Sequence, residues 1–286
     1  MKLDYKITEI QASRALDFIQ KFHYSPVMPS ITKHYLGFLI DGEMKAVLTL
    51  GWGTQPRQTI NFLFPGLETI HYYEIGKMCI DDEMPKNTGS QILAGTIGWM
   101  KQRTDKLFLY TLGDGIMGKC GYVYQSANFH YGGSFRTHTY LMPNGEKLHI
   151  RSARKLLEQN FIMDWDKHNS VCRRCSSGDW WDCENKPKQR IRFSCDFMEA
   201  NNIRIIDGLM FRYIYPLNKN AKSLMKNGST LNWNQNNYPK ENDLIWLDTT
   251  DKKNKTKIDR PSFSFDEAQY NYIPQSVGPT LDKFFR

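Results

Sequence analysis

The sequence predicts an α+β or α/β protein built on a mixed, twisted sheet with helices on its faces. Three observations carry this. Residues 72–131 read as strand, loop, helix, strand, helix, an alternation that produces sheet-and-helix layers. Asp41-Gly42 and Asn144-Gly145 each separate two apolar runs, the signature of a tight hairpin. And 286 residues with 40% apolar and 13% aromatic content are enough to bury a sizeable core.

The elements follow in order. Lys2–Ile7 alternates weakly and reads as a strand. Thr8 with Gln11 three residues on has capping-box spacing. The helix it predicts carries Ala15, Phe18, Ile19 and Phe22 on one stripe. Pro26 stops that helix and leaves His23 and Tyr24 at its C-terminal edge. Tyr35–Ile40 and Met44–Leu50 form the first hairpin, closed by Gly51-Trp52-Gly53, where glycine marks a bulge or a close backbone approach. Thr54–Leu67 reads as a loop and Tyr72–Ile80 as a strand. A helix runs from about Ser90 to Arg103 with Ile92, Thr96, Ile97 and Met100 on one face. Lys106–Thr111 is a buried strand, broken at Leu112–Gly115, and Met117 to Ala127 is helical. Ser134–Met142 and Lys147–Ile150 form the second hairpin, and Ser152–Gln159 is helical. Ile203–Leu209 and Phe211–Leu217 predict a strand pair turning at Asp207-Gly208. Residues 218–260 are rich in Asn, Lys, Asp and Thr and read as loop or partly disordered. Residues 261–286 read as a tail whose aromatics pack on a neighbouring surface. The expected division is a sheet-and-helix domain over 1–160 and a basic, Cys-containing extension over 161–286.

Two stretches carry chemistry. Lys86-Asn87-Thr88-Gly89-Ser90 feeds a helix N-terminus, where unpaired N–H groups can cradle an anion or pyrophosphate. The alternative is an ordinary cap with Ser90 as the capping residue. Asp114 lies just past a strand end, where open sheets place ligands; the alternative is an ordinary Asp-Gly turn.

The net charge of +8 favours a polyanionic partner, nucleic acid first. No apolar run approaches the roughly 20 residues of a membrane helix, and the N-terminus lacks a signal-peptide core. A soluble, cytoplasmic protein without membrane partners is expected, and its six cysteines should be reduced. Cys79 and Cys120 sit among apolar neighbours and read as packing residues. Cys172, Cys175, Cys183 and Cys195 cluster and can complete a tetrahedral structural zinc site, with His168 as a substitute ligand; the alternative is free thiols in a loop. Arg173, Arg174, Lys186, Lys188, Arg190 and Arg192 surround Trp180-Trp181 there, a composition that fits nucleic-acid contact or a solvated structural loop.

The order of elements is that of the GNAT acyltransferase fold. The loop Lys86–Gln91 resembles that superfamily's phosphate-binding loop, Gln/Arg-x-x-Gly-x-Gly/Ala. Lys86 replaces the first residue, Gly89 matches, and Gln91 departs from the small final residue. Several motifs together resemble the Mom family of phage DNA-modification proteins, which are divergent GNAT-like enzymes. They are His23-Tyr24, Tyr73-Glu74-Ile75-Gly76-Lys77, Pro85-Lys86-Asn87 with Ser90, Gly113-Asp114-Gly115, and Gly121–Phe129 with Tyr131-Gly132-Gly133, spanning roughly residues 10–150.

That resemblance implies conversion of adenine in DNA to an N6-carbamoylmethyl form, which protects phage DNA from restriction. It implies functional roles for His23, Tyr24, Ser90, Asp114 and Tyr124. Lys77 stands where the family carries Arg, keeping the charge without the planar fork. It also implies iron, with His23, Tyr24, Asp114 and Tyr124 as ligands or neighbours. The cradle Lys86, Asn87, Thr88, Gly89 and Ser90 would hold acetyl-CoA or another acyl or glycyl donor. Double-stranded DNA would be the partner, with the target adenine flipped out or the duplex opened. Two other readings remain open: a CoA-dependent acetyltransferase acting on a small molecule or protein, and a non-catalytic DNA-binding protein.

Overall fold

The computed structural model describes residues 2–29, 31–53, 59–148, 161–162, 192–193, 198–199, 201–251 and 253–264. Residues 1–137 with 208–245 form one unit, and 138–207 with 246–264 a second. Residues 210–216 pair with residues 108–114 and so extend the N-terminal sheet.

In the first unit the strands are β1 (Lys6–Glu9), β2 (Thr32–Ile40), β3 (Glu43–Gly51), β4 (Tyr72–Ile80) and β5 (Phe108–Asp114). Their order is β1-β2-β3-β4-β5, followed by the last part of the strand Arg204–Pro216. Every pairing is antiparallel except β4 with β5. This is the mixed α+β sheet that the sequence predicts. The Asp41-Gly42 turn joins β2 to β3 with φ of 51° and 83°, as a primed hairpin turn requires.

Helix α1 (Ala12–Phe22) buries Ala15, Leu16, Phe18 and Ile19 against Val47 and Cys79. Thr8 lies in β1, and Gln11 is the N-cap without a side-chain bond, so the expected capping box does not form. A short helix α2 (Ile60–Leu63) stands inside the expected loop and buries Ile60 and Leu63. Helix α3 (Thr88–Arg103) starts two residues before the expected Ser90, with Asn87 as N-cap at φ 70°. It buries Ile92, Thr96, Ile97 and Met100 on the opposite face of the sheet from α1, against Leu48, Leu109 and Tyr213. Helix α4 (Tyr122–Ser126) is a single short turn, because Asp114–Lys119 forms a turn instead of the first half of a longer helix.

Beyond it come β6 (His130–Leu141) and β7 (Lys147–Leu148), with Tyr140 opposite Leu148 around Gly145 at φ 86°. Two short strands, β8 (Phe161–Ile162) and β9 (Arg192–Phe193), pair with each other. The expected turn at Asp207-Gly208 does not exist: β10 (Arg204–Pro216) runs straight through it. Gly208 answers to space instead, since a Cβ there would lie 2.7 Å from the Ile116 side chain. Residues 218–260 are more ordered than their polarity suggests. Asn218 caps α5 (Lys219–Asn227) by accepting from the Ala221 N–H at 2.9 Å. In the second unit β11 (Trp246–Asp248) pairs with residues 206–207 of β10 and with β12 (Thr256–Ile258). Cys79 and Cys120 are buried free thiols, as expected. Cys172, Cys175, Cys183, Cys195, His168 and the Ser152–Gln159 helix lie outside the described residues. Among the described residues, no helix is long and apolar enough to cross a membrane.

Candidate functional site

Strands β4 and β5 pair over only three positions, Tyr72 with Phe108, Tyr73 with Leu109 and Glu74 with Tyr110. Past Glu74, β4 continues to Ile80 along β3. Past Tyr110, β5 continues to Asp114 along β10. The two central strands therefore part at their carboxyl ends, the position at which a sheet offers a ligand crevice.

Five segments bring side chains to this parting. From β4, Lys77 donates from Nζ to the Ser25 carbonyl and to Ser25 Oγ, both at 2.9 Å. That clamp fixes the turn His23-Tyr24-Ser25 after α1. Within it, His23 Nδ1 lies 2.9 Å from both the N–H and the carbonyl oxygen of Ser25. Ser25 thus satisfies either neutral tautomer of the ring. Burial, with Lys77 and Lys119 adding to it, pushes the His23 pKa down to about 3, so the imidazole is neutral at physiological pH.

The His23 ring stacks on Tyr24 with centroids 4.3 Å apart. Lys119 covers Tyr24, its Nζ 5.6 Å from the ring centroid. Tyr24 leaves 44% of its surface exposed, yet its hydroxyl end is enclosed: burial first, then Asp114 and Tyr124, hold its pKa far above the usual phenol range. Asp114 ends β5 and accepts the Met117 N–H at Oδ1, 3.2 Å away. The Lys119 N–H returns to the Asp114 carbonyl at 2.9 Å, which places Lys119 beside the site.

Tyr124 comes from α4. Gln125 anchors that turn by donating to Tyr213 Oη at 3.0 Å and to the Pro239 carbonyl at 2.9 Å. Burial raises the Tyr124 pKa, a Thr111 hydrogen bond opposes this, and Glu74 adds to it. Glu74 completes the group, a residue to which the sequence alone assigns no role. Burial raises its pKa to about 7. No described group donates a hydrogen bond to its carboxylate. Gly53 passes so close that a Cβ there would lie 2.2 Å from Glu74 Oε2, and it does so at φ 75°, a conformation that favours glycine. The close approach expected at Gly51-Trp52-Gly53 is this one. The signal that could have flagged Glu74 is its position as a carboxylate inside the apolar strand Tyr72–Ile80. Lys119 carried no signal beyond its charge.

The structure thus brings His23, Tyr24, Lys77, Asp114 and Tyr124 to one place. It does not tie Ser90 to them. Ser90 stands in the first turn of α3, donating from Oγ to the Asn87 carbonyl at 2.9 Å. The N-terminus of α3 has no side-chain cap. Thr88 turns inward, its N–H and Oγ1 both bonded to the Pro85 carbonyl at 3.3 and 2.7 Å. A Cβ on Gly89 would lie 2.5 Å from Val123 Cγ2, so the start of α3 is packed directly against the turn that carries Tyr124.

The donor set that the resemblance implies for iron, His23, Tyr24, Asp114 and Tyr124, gathers at this parting as one imidazole with three oxygen donors. His23 Nδ1 is engaged by Ser25, which leaves Nε2 as the ring nitrogen a metal would take, while Lys77 and Lys119 bring positive charge to the imidazole. Among the described residues, no three His, Cys, Asp or Glu gather as a metal cluster.

The model of the Mom protein family matches residues 4–240. The chain belongs to that family. A curated relative, the methylcarbamoylase Mom of Escherichia phage Mu, is 26% identical over 149 residues, 51% of this chain and 60% of that protein. The aligned region thus spans less than two thirds of this relative. Among solved structures, an IAA acetyltransferase from Bacillus cereus covers 74% of this chain and 99% of its own, with a TM-score of 0.35 and 12% identity. A GNAT family N-acetyltransferase from Escherichia coli in complex with CoA covers 44% and 69%, with a TM-score of 0.33 and 12% identity. Likenesses at that level carry no weight for activity or ligand.

Proposed function

We propose that this Mom family member modifies adenine in DNA. It adds a carbamoylmethyl or related acyl-type group to the exocyclic N6 amine; with an acyl-CoA donor, N6 loses a proton and bonds to the acyl carbon as the acyl–sulfur bond breaks and CoA leaves as its thiol. The observation that carries this is the convergence of a poised carboxylate, Glu74, with Tyr24, Tyr124, Asp114 and the Lys77-clamped His23 where β4 and β5 part.

The chemistry requires a base. The adenine N6 lone pair is delocalised into the ring, so bond formation at N6 needs removal of its proton, and a base with pKa near the working pH does this best. Glu74, at about 7, meets that condition. His23, at about 3, is too weakly basic and acts as a neutral donor or acceptor through either tautomer. Tyr24 and Tyr124 keep their protons, because burial raises both, and so donate hydrogen bonds to the base edge or to the donor's carbonyl. Lys77 and Lys119 stabilise negative charge that develops on the donor, as fixed cations do in a partly dehydrated site. An adenine flipped out of double-stranded DNA would reach this site.

The donor would lie on the first turn of α3. Lys86–Ser90 surround an uncapped helix N-terminus, which suits the phosphates of acetyl-CoA or a related acyl or glycyl donor. The test is to digest DNA from cells expressing the chain and weigh its nucleosides, with Asp114→Asn as control. A new adenine species absent from the control supports the reading. Unmodified nucleosides from folded, expressed protein supplied with donor refute it. Acetylation of a small amine under the same conditions would favour the small-molecule acetyltransferase instead.

A further inference from the structure

A second site lies in the same unit at the opposite end of the sheet. A cavity of about 860 Å³ is bounded by α5, the segment after it, residues 128–130 and the end of β10. Tyr215 on its wall pairs with Leu109 near the start of β5, whereas Asp114 pairs with Met210 at its end. Five strand residues separate the two positions, roughly 17 Å along the sheet. The size suits a ligand of a few hundred daltons.

Among the described residues its charge has one sign: Lys222 and Lys226 line it, and no Asp or Glu does. The two lysines stand four residues apart, hence on one face of α5. The helix sequence Lys219–Asn227 has no acidic residue to offset them, and neither lysine forms an ion pair among the described residues. His130, also on the wall, has its pKa lowered by burial and by Lys222, so it sits neutral in a positive field. Around the cations stand groups suited to a planar polar ring. Tyr215 is half-buried with Lys101 Nζ 5.7 Å from its ring centroid, and Asn128, Asn232 and Gln235 supply amides. The floor is rigid: Trp233 stacks on Phe64 at an interplanar angle of 4° and donates from Nε1 to Ser229 Oγ at 2.7 Å.

We propose that this cavity binds a nucleotide unit, its phosphate held by Lys222 and Lys226 and its base set against Tyr215 and the amides. The unit can come from a nucleic-acid strand or from a free nucleotide, and the two share that recognition chemistry.

The experiment uses the full chain with two probes, a fluorescein-labelled mixed-sequence 12-mer of single-stranded DNA and adenosine 3′,5′-bisphosphate. The variants are Lys222→Glu with Lys226→Glu, and Tyr215→Ala. The control is Lys253→Glu with Lys255→Glu, which changes net charge equally at exposed positions elsewhere. Melting is recorded for each to establish folding. The lysine pair should weaken the bound probe at least tenfold and lower the slope of log K against log salt for the 12-mer by about 1.4. Tyr215→Ala should weaken the same probe, and the control pair should do neither. Loss confined to the 12-mer assigns a strand to the cavity; loss for the bisphosphate as well assigns a free nucleotide. Unchanged binding of both probes, or an equal loss in the control pair, overturns the proposal. Asp114→Asn should retain this binding, so the result stands apart from adenine modification.

Discussion

Glu74 offers the sharpest physical test. Its carboxyl is buried at the parting of β4 and β5, without a described hydrogen-bond donor, and its pKa moves from 4.5 to about 7. A carboxyl raised on folding stabilises the protein below its unfolded pKa, where it is protonated in both states. That contribution is lost as pH rises through the folded value. The window is therefore pH 4.5 to 7, and the full displacement corresponds to about 3 kcal/mol. Residual solvent contact makes this an upper figure. Glu74→Gln keeps the shape and removes the charge. The variant should match the parent near pH 4 and exceed it by about 1–3 kcal/mol at pH 8.5. Denaturant unfolding monitored by tryptophan fluorescence at both pH values reads this directly. The same variant should lose about 10²–10⁴-fold in modification rate if Glu74 is the base. A variant equal to or less stable than the parent at pH 8.5 refutes the reasoning, because the carboxylate would then have partners that reward its charge.

Other outcomes follow from the clamp and the close contacts. Lys77→Ala frees Ser25 and removes one cation beside His23, so the His23 ring should titrate higher by NMR and modification should fall at least tenfold; an unmoved titration would count against the clamp. Gly115→Ala places a Cβ 2.3 Å from the Leu209 carbonyl and should destabilise by about 2 kcal/mol or more. Gly98→Ala, in α3 with nothing within 4 Å, should instead stabilise by about 0.5–1 kcal/mol. Thermal melts of the two variants check both signs.

Much of the fold is legible in the sequence because its helices bury one face. The stripes of α1 and α3, apart from the half-buried Phe22, are residues that the structure buries, since a 3.6-residue period needs only local information. Asp207-Gly208 misleads because glycine serves two ends: a turn is one, and room for Ile116 beside a straight strand is the other. Helix α5 is hidden because its docked face is small, Ala221 and Met225 among lysines and asparagines; its capping Asn218 was the available signal. The candidate site divides the same way. His23, Tyr24, Asp114 and Tyr124 stand out as residue types at element ends. Their convergence follows from where β4 and β5 stop pairing, a long-range fact that no local pattern encodes. Glu74 carries no such local mark, because its raised pKa comes from burial in the folded sheet.

Among the described residues no cation pairs with Glu74, and that makes the arrangement coherent. Lys77 lies three residues along the same strand and gives two hydrogen bonds to Ser25. Had it paired with Glu74 instead, attraction would hold the carboxyl near or below its ordinary value and leave a poor base. The cations instead act on the other side, lowering the His23 pKa. Between the two ends the electrostatic couplings run from Asp114 to Tyr24, from Tyr24 to Tyr124, and from Tyr124 to Glu74. Two carboxyls are thus separated by two phenols that stay protonated. Such a row can present hydrogen-bond donors to a substrate at its centre while leaving one carboxyl basic at its end, which is the division of labour that proton removal from a weakly basic amine demands.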